Sequence, residues 1–258
     1  MTASLVYITG ASSGIGQALA ARFARDGWRL ALVARRQDEL ARWVAEQGLE
    51  AGRVAIYGAD VRDVGAITAA GRACVAAQGL PQVVIANAGI SVGIDSACLE
   101  DLEDMRATFE TNVLGVAATF QPFIGAMRAR RGGTLVGVAS VAGIRGLPGH
   151  AAYSSSKAAL ISYCESLRGE CRTHGMKVVT LVPGYVDTPL TRSNPYRMPF
   201  RMSAEAFADA AYAAILAGSS YRVIPWQMGW VAKLLRMLPN WLFDAVLAGR
   251  PRKPRRSK

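Results

Sequence analysis

Cysteine is scarce in this chain of 258 residues. Cys74, Cys98, Cys164 and Cys171 show neither metal-ligand nor disulfide-framework spacing. No metal site and no disulfide scaffold are therefore expected, and a reducing, cytoplasmic setting is. Eleven prolines and 26 glycines are too few for a low-complexity protein. The first ten residues, MTASLVYITG, carry no basic group and enter an apolar strand by Leu5, so no signal peptide is expected. Nor does an uninterrupted membrane-length run stand out: Lys233, Arg236, Pro239 and Asp244 break the apolar stretch at 226–247, which disfavours a spanning helix. Acidic groups are outnumbered, 19 against 30 basic ones, for a net charge of +11. Six of the basic groups fall in the last nine residues, as Arg250, Arg252, Lys253, Arg255, Arg256 and Lys258. Such a tail can meet anionic lipid, nucleic acid or an acidic protein, or simply be a solvated terminus.

What is present is enough for a large core: 51% of residues are hydrophobic and 19% charged. Short apolar strands are expected at 5–8, 30–33, 53–57, 83–86, 134–140, 177–183 and 221–224. Helices are expected between them at 14–26, 37–47, 63–78, 101–130, 152–173 and 203–217, the long one irregular around Gly115 and Pro122. Strands alternating with helices of this length make βαβ units and a parallel sheet. Right-handed crossovers then favour an α/β, Rossmann-type doubly wound sheet with helices on both faces. No linker precedes residue 225, so 1–225 reads as one domain, followed by an apolar segment at 226–249 and a basic tail at 250–258.

The first strand runs into Thr9-Gly10-Ala11-Ser12-Ser13-Gly14-Ile15-Gly16, which opens the first helix. Three glycines allow a tight turn and a close approach to a pyrophosphate, and the helix start offers free N–H groups. The position between strand and helix is the context that gives this turn meaning. At the end of the second strand, Ala34 offers no carboxylate for a ribose hydroxyl, whereas Arg35 and Arg36 suit a 2′-phosphate. NADP(H) is therefore preferred over NAD(H).

Ser140 ends a strand, Tyr153 follows thirteen positions later, and Lys157 four after that. Positions i and i+4 share a helix face, so phenol and ammonium can point into one cleft. Lowering a phenol from about 10 to about 7 takes roughly 4 kcal/mol. A lysine together with an oxidised nicotinamide can supply that in a dry cleft. Such a tyrosine can give or take a carbonyl proton.

These motifs together resemble the short-chain dehydrogenase/reductase family in its single-domain form, over most of residues 4–190. TGASSGIG resembles the family's TGxxxGxG turn. Asn87-Ala88-Gly89 resembles its NNAG, with Ala86 in place of the first asparagine, a departure that bears on strand support more than on chemistry. Asn112, Ser140 with Tyr153-x-x-x-Lys157, Pro183-Gly184 and Thr188 match further positions in order. The resemblance implies about seven strands in the order 3-2-1-4-5-6-7. It implies that Tyr153 is the acid in reduction and that Ser140 holds the substrate oxygen. Lys157 would bind the nicotinamide ribose and lower the Tyr153 pKa, and Asn112 would place a relay water. By the same resemblance Asp60 and Val61 meet the adenine, Asn87, Ala88 and Gly89 line the adenosine side, and Val186 and Thr188 hold the carboxamide behind Pro183 and Gly184.

The segment YVDTPLTRSNPYRMPFRMS (185–203) reads as a mobile apolar lid, or as side chains packed on the core. A hydrophobic ketone or acyl chain suits it better than a sugar. His150 reads as a loop histidine near the cleft mouth, and His174 as a helix-end residue. Cys164 and Cys171 read as core or interface, and Arg128, Arg130 and Arg131 as cations closing a helix. The stretch at 226–247, with three tryptophans, suits packing in a dimer or tetramer, or peripheral membrane contact together with the tail. Nucleic acid is the lesser partner. The whole reads as an NADPH-dependent reductase of a hydrophobic or lipid-like ketone. The alternatives are an NADP-dependent alcohol or steroid dehydrogenase working oxidatively, and a non-catalytic dinucleotide sensor, which would have no need of Ser140, Tyr153 and Lys157 together.

Overall fold

The computed structural model describes residues 3–192, 194–249 and 251–256. Seven strands form one sheet in the order β3-β2-β1-β4-β5-β6-β7, and every neighbouring pair is parallel. The strands are β1 (Leu5–Thr9), β2 (Arg29–Ala34), β3 (Val54–Gly58), β4 (Val83–Ala86), β5 (Thr134–Val138), β6 (Lys177–Pro183) and β7 (Tyr221–Ile224). The helices are α1 (Gly14–Arg25), α2 (Gln37–Glu46), α3 (Val64–Gln78), α4 (Asp101–Phe109), α5 (Gly115–Arg130), α6 (Ala151–Arg172), the single turn α7 (Pro189–Arg192), α8 (Ala204–Ala217), α9 (Trp226–Met237) and α10 (Asn240–Leu247). The expected doubly wound sheet and its strand order are both present.

Alternation along the strands divides the core in two. Leu5 and Tyr7 of β1 face one side, where Phe120 and Phe123 of α5 and Leu160 and Cys164 of α6 pack. Val6 and Ile8 face the other, with Leu19 and Phe23 of α1 and Phe207 and Tyr212 of α8. Both faces are covered, which is why β1 and β4 read as unbroken apolar runs. Each fully buried Leu, Val or Phe contributes about 1.5–3 kcal/mol.

The expected helix at 101–130 is continuous in path but not in hydrogen bonding. A π-helical turn (Glu110–Leu114) separates α4 from α5, and the Gly115 N–H donates to the Glu110 carbonyl. Pro122 sits inside α5 without ending it. It lies against Gly71 of α3, where an added Cβ would come within 2.8 Å of Pro122 Cγ. The fifth strand ends at Val138, two residues short of the expected limit, because Ser140 caps the 3-10 turn Val141–Gly143 by accepting from Ala142 N. The apolar segment breaks at Leu238-Pro239 into α9 and α10. Among the described residues no helix is long and apolar enough to cross a membrane.

The basic tail is not simply solvated over its described part. Lys253 is buried, Arg255 pairs with Asp101, and Arg256 with Asp104. The acidic partner open to these residues in the sequence is thus the first turn of the chain's own α4. Arg250 and Lys258, also assigned to the tail, lie outside the described residues.

Candidate active site

The carboxyl ends of β1, β2, β4, β5 and β6 open onto one cleft at the point where strand order reverses between β1 and β4. Of the residues assigned from sequence to cofactor or chemistry, all border it except Gly16 and Asn112, which stand behind its wall. The turn after β1 needs its glycines. Gly10 has φ +66° and would bring a Cβ within 2.8 Å of Ala88 Cα; Gly14 has φ +55° and would meet Thr188 at 3.1 Å. A Cβ at Gly16 would run into the Gly10 carbonyl. Asn87 braces the turn from β4, its Nδ2 donating to the carbonyls of Thr9 (3.0 Å) and Gly10 (3.2 Å). The Thr9 hydroxyl accepts from Asn87 N in return (3.1 Å).

These residues fit a phosphate-bearing dinucleotide. At Gly10 and Gly16 neighbouring backbone leaves no room for a Cβ. Ser13, at the N-cap of α1, makes no side-chain capping bond, and Ser13, Gly14 and Ile15 border the cleft, so the partial positive charge of the helix start lies at its wall uncapped. At the other end, Ala34 is followed by Arg35 and Arg36, both bordering the cleft with side chains 62% and 56% exposed. Each is answered by a carboxylate: Arg36 by Glu39 at 2.9 Å and Arg35 by Asp60 at 3.7 Å. Asp60 is held mainly by Arg62, at 2.8 and 3.2 Å, and that bond keeps its carboxyl below the usual range. Arg62 is a cleft residue the sequence reading missed, as are Ile90, Ala107, Thr111, Leu190, Thr191 and Arg256. A third arginine beside Asp60 was a usable signal; Leu190 and Thr191 lie in the lid segment and Arg256 in the basic tail, neither of which was assigned to the cofactor, and Ile90, Ala107 and Thr111 carry no local mark.

Ser140, Tyr153 and Lys157 meet on the far wall. Lys157, 4% exposed, donates to the Val138 carbonyl at 2.8 Å and stands 5.8 Å from the centre of the Tyr153 ring. Burial drives its pKa down to about 8, with Cys164 acting in the opposite sense. Burial also raises the Tyr153 phenol above its ordinary value, and the Ser140 hydroxyl works against that. The lowering expected from sequence invokes Lys157 together with an oxidised nicotinamide, and it belongs to the cleft with that ring bound. Burial penalises the charged form of each group. Ser140 Oγ accepts from Ala142 N (3.2 Å), which leaves its hydroxyl hydrogen for the cleft.

Asn112 sits in the π-turn, fully buried. Its Nδ2 donates to the Ile90 carbonyl (2.9 Å) and to Ser156 Oγ (3.0 Å), and its Oδ1 accepts from Ile90 N (2.9 Å). With both amide hydrogens used, the side chain clamps the loop after β4 to α6.

On the substrate side the lid is partly pinned. Tyr196 Oη lies 3.0 Å from His150 Nε2, and His150 Nδ1 lies 3.2 Å from the Pro148 carbonyl. A carbonyl can only accept, so Nδ1 carries the hydrogen and Nε2 accepts from Tyr196. Burial lowers the His150 pKa, which keeps that neutral form. Met202 packs on the core, Val186 bridges to it, and Phe200 stays exposed. His150 thus holds the lid, a role its spacing from Tyr153 did not reveal.

The short chain dehydrogenase family model matches residues 4–198. An uncharacterized oxidoreductase of Myxococcus xanthus is 38% identical over 246 residues, 95% of this chain and 97% of that protein. Among solved structures, an alcohol dehydrogenase from Thermococcus sibiricus, complexed with 5-hydroxy-NADP, superposes with a TM-score of 0.77 at 28% identity, over 86% of this chain and 96% of that one. A Burkholderia phymatum short chain dehydrogenase/reductase in complex with NAD shares the fold, with a TM-score of 0.81 at 24% identity over 98% and 97% of the two chains.

Proposed function

The chain belongs to the short-chain dehydrogenase family of oxidoreductases, and from that premise we propose that it reduces a hydrophobic ketone with NADPH. The observation that carries the reading is the convergence of Ser140, Tyr153 and Lys157 on the cleft that begins at the Gly10–Gly16 turn. The nicotinamide ring, when bound, supplies the hydride. Tyr153 gives its hydroxyl proton to the substrate oxygen, and a phenol held above its ordinary pKa is in the donor form at neutral pH. Ser140 donates its hydroxyl hydrogen to the same oxygen. Lys157 holds its ammonium at the Val138 carbonyl, beside Gly89, where a Cβ would come within 3.4 Å of Nζ; from there it serves the ribose. The remaining roles expected of Asp60, Val61, Asn87, Ala88, Gly89, Pro183, Gly184, Val186 and Thr188 belong to this reading, since all border the cleft.

Preference for NADPH rests on Arg35 and Arg36 at the end of β2, with Ala34 in place of a carboxylate. The Thermococcus sibiricus relative, solved with an NADP derivative, is consistent with it. A hydrophobic substrate is supported by Tyr185 and Tyr196 of the lid, whose rings lie 6.4 Å apart. The reading extends to the surface. Trp226, Trp230, Leu234 and Met237 form an exposed stripe at spacings of four, four and three along α9, and Trp241 of α10 is exposed as well, each 64–82% exposed. Lys233 lies over the Trp230 ring at 5.1 Å. Tryptophans beside a cation suit the headgroup region of an anionic lipid surface, from which an apolar substrate would come.

The experiment is the rate of NADPH and NADH oxidation with small ketones and with long-chain 3-ketones in mixed micelles. Turnover of the long-chain compounds with NADPH is expected. Turnover of small polar ketones alone, or equal use of NADH, overturns the substrate or the cofactor part respectively.

A further inference from the structure

Residues 251–256 pack beside the cleft, which Arg256 borders, and two glycines make room for them. Gly93 N donates to the Pro254 carbonyl (3.1 Å), and Gly93 pairs with Arg255 as a parallel bridge. A Cβ at Gly93 would run into the carbonyls of Lys253 and Pro254, and one at Gly149 would come within 2.9 Å of Arg252 Cβ. Lys253 Nζ, buried beneath the segment, donates to Ser91 Oγ (3.0 Å) and to the Leu190 carbonyl (3.3 Å). The segment therefore joins the loop after β4, the turn before α6 and the single turn α7.

Its arginines are held differently. Arg255 forks onto Asp101, with Nε to Oδ2 at 2.7 Å and Nη2 to Oδ1 at 2.9 Å. Arg256 Nη1 stands 3.3 Å from Asp104 Oδ1. The two carboxylates are only 6% and 9% exposed. Arg255 is an anchor that does not border the cleft. Arg256 does border it, as part of the same lining as Ile90, Thr111, Leu190 and the Gly10–Gly14 turn. A guanidinium has five donors, so one contact to Asp104 leaves it able to serve a phosphate as well.

We propose that residues 251–256 are a strap belonging to the cofactor site, which closes over bound dinucleotide and presents Arg256 to its phosphates. The proposal rests on the reading of the cleft as a dinucleotide site. Arg255 on Asp101 is the latch, and the strap lifts for the cofactor to enter and leave. Because the arginines are half exposed, salt weakens the latch.

Stopped-flow fluorescence of NADPH binding tests this on the full chain, with thermal unfolding of each variant to check the fold. Arg256→Gln is expected to weaken NADPH binding roughly tenfold, mostly through faster dissociation, the usual consequence of losing a charge-assisted hydrogen bond. Arg255→Gln is expected to speed both association and dissociation, and a chain ending at Gly249 to combine the two effects. Salt is expected to speed dissociation from the wild type more than from Arg255→Gln. Variants that bind and release NADPH at wild-type rates overturn the strap while leaving the dinucleotide reading intact. A folded wild type that binds neither NADPH nor NADH overturns the reading of the cleft, and the strap with it.

Discussion

Lys157 shows how much of a residue's chemistry depends on what surrounds it. The i, i+4 spacing of Tyr153 and Lys157 was legible, and so was their common face. The balance of their pKa values was not, because it is set by burial against Val138 and Gly89, which come from other elements. Lys157 is lowered from 10.5 to about 8. Between those values the unfolded chain holds more protons than the folded one, so this residue makes stability rise with pH. The penalty is full below pH 8 and is relieved above 10.5. Without cofactor, the unfolding free energy of wild type minus that of Lys157→Met is expected to grow by about 3 kcal/mol across that window. Urea unfolding at both ends of it is the check, and a flat difference contradicts the burial account.

At the scale of elements, alternation of strand and helix was readable because strands covered on both faces are apolar throughout. The π-turn at Glu110–Leu114 was not. Its sequence, ETNVL, carries neither proline nor glycine, and the expected irregularity was placed at Gly115 and Pro122 instead. The shift goes with the placing of Asn112 against Ile90 and Ser156, a tertiary contact with no local signature. Asn112→Ala strands buried backbone groups of Ile90, and a cost of about 2–4 kcal/mol is expected. The urea midpoint reports it; a loss below about 1 kcal/mol would show that the clamp does little. The cap on the turn before α6 tells a similar story: Ser140 was legible as a strand-end residue, but the 3-10 turn it caps was not.

For the whole molecule, strand order and the site at the β1/β4 reversal followed from motifs kept in order along the chain. The destination of the basic tail did not. Asp101 and Arg255 are 154 positions apart, and only the assembled fold brings them together. Commitment of the tail to α4 leaves the stripe on α9, with Trp241 of α10, as the lipid-facing candidate. Full-length protein is expected to sediment with anionic vesicles, and Trp226→Ser with Trp230→Ser and Trp241→Ser to stay in solution. A dimer that buries the stripe and ignores vesicles contradicts that assignment. The central claim is that Tyr153 carries the proton in a reduction driven by NADPH, and one comparison tests it most directly: NADPH binding and ketone-dependent NADPH oxidation, measured side by side for wild type and Tyr153→Phe. The account predicts unchanged binding and a rate lower by roughly 10²–10⁴-fold. Equal rates in the two proteins would contradict it.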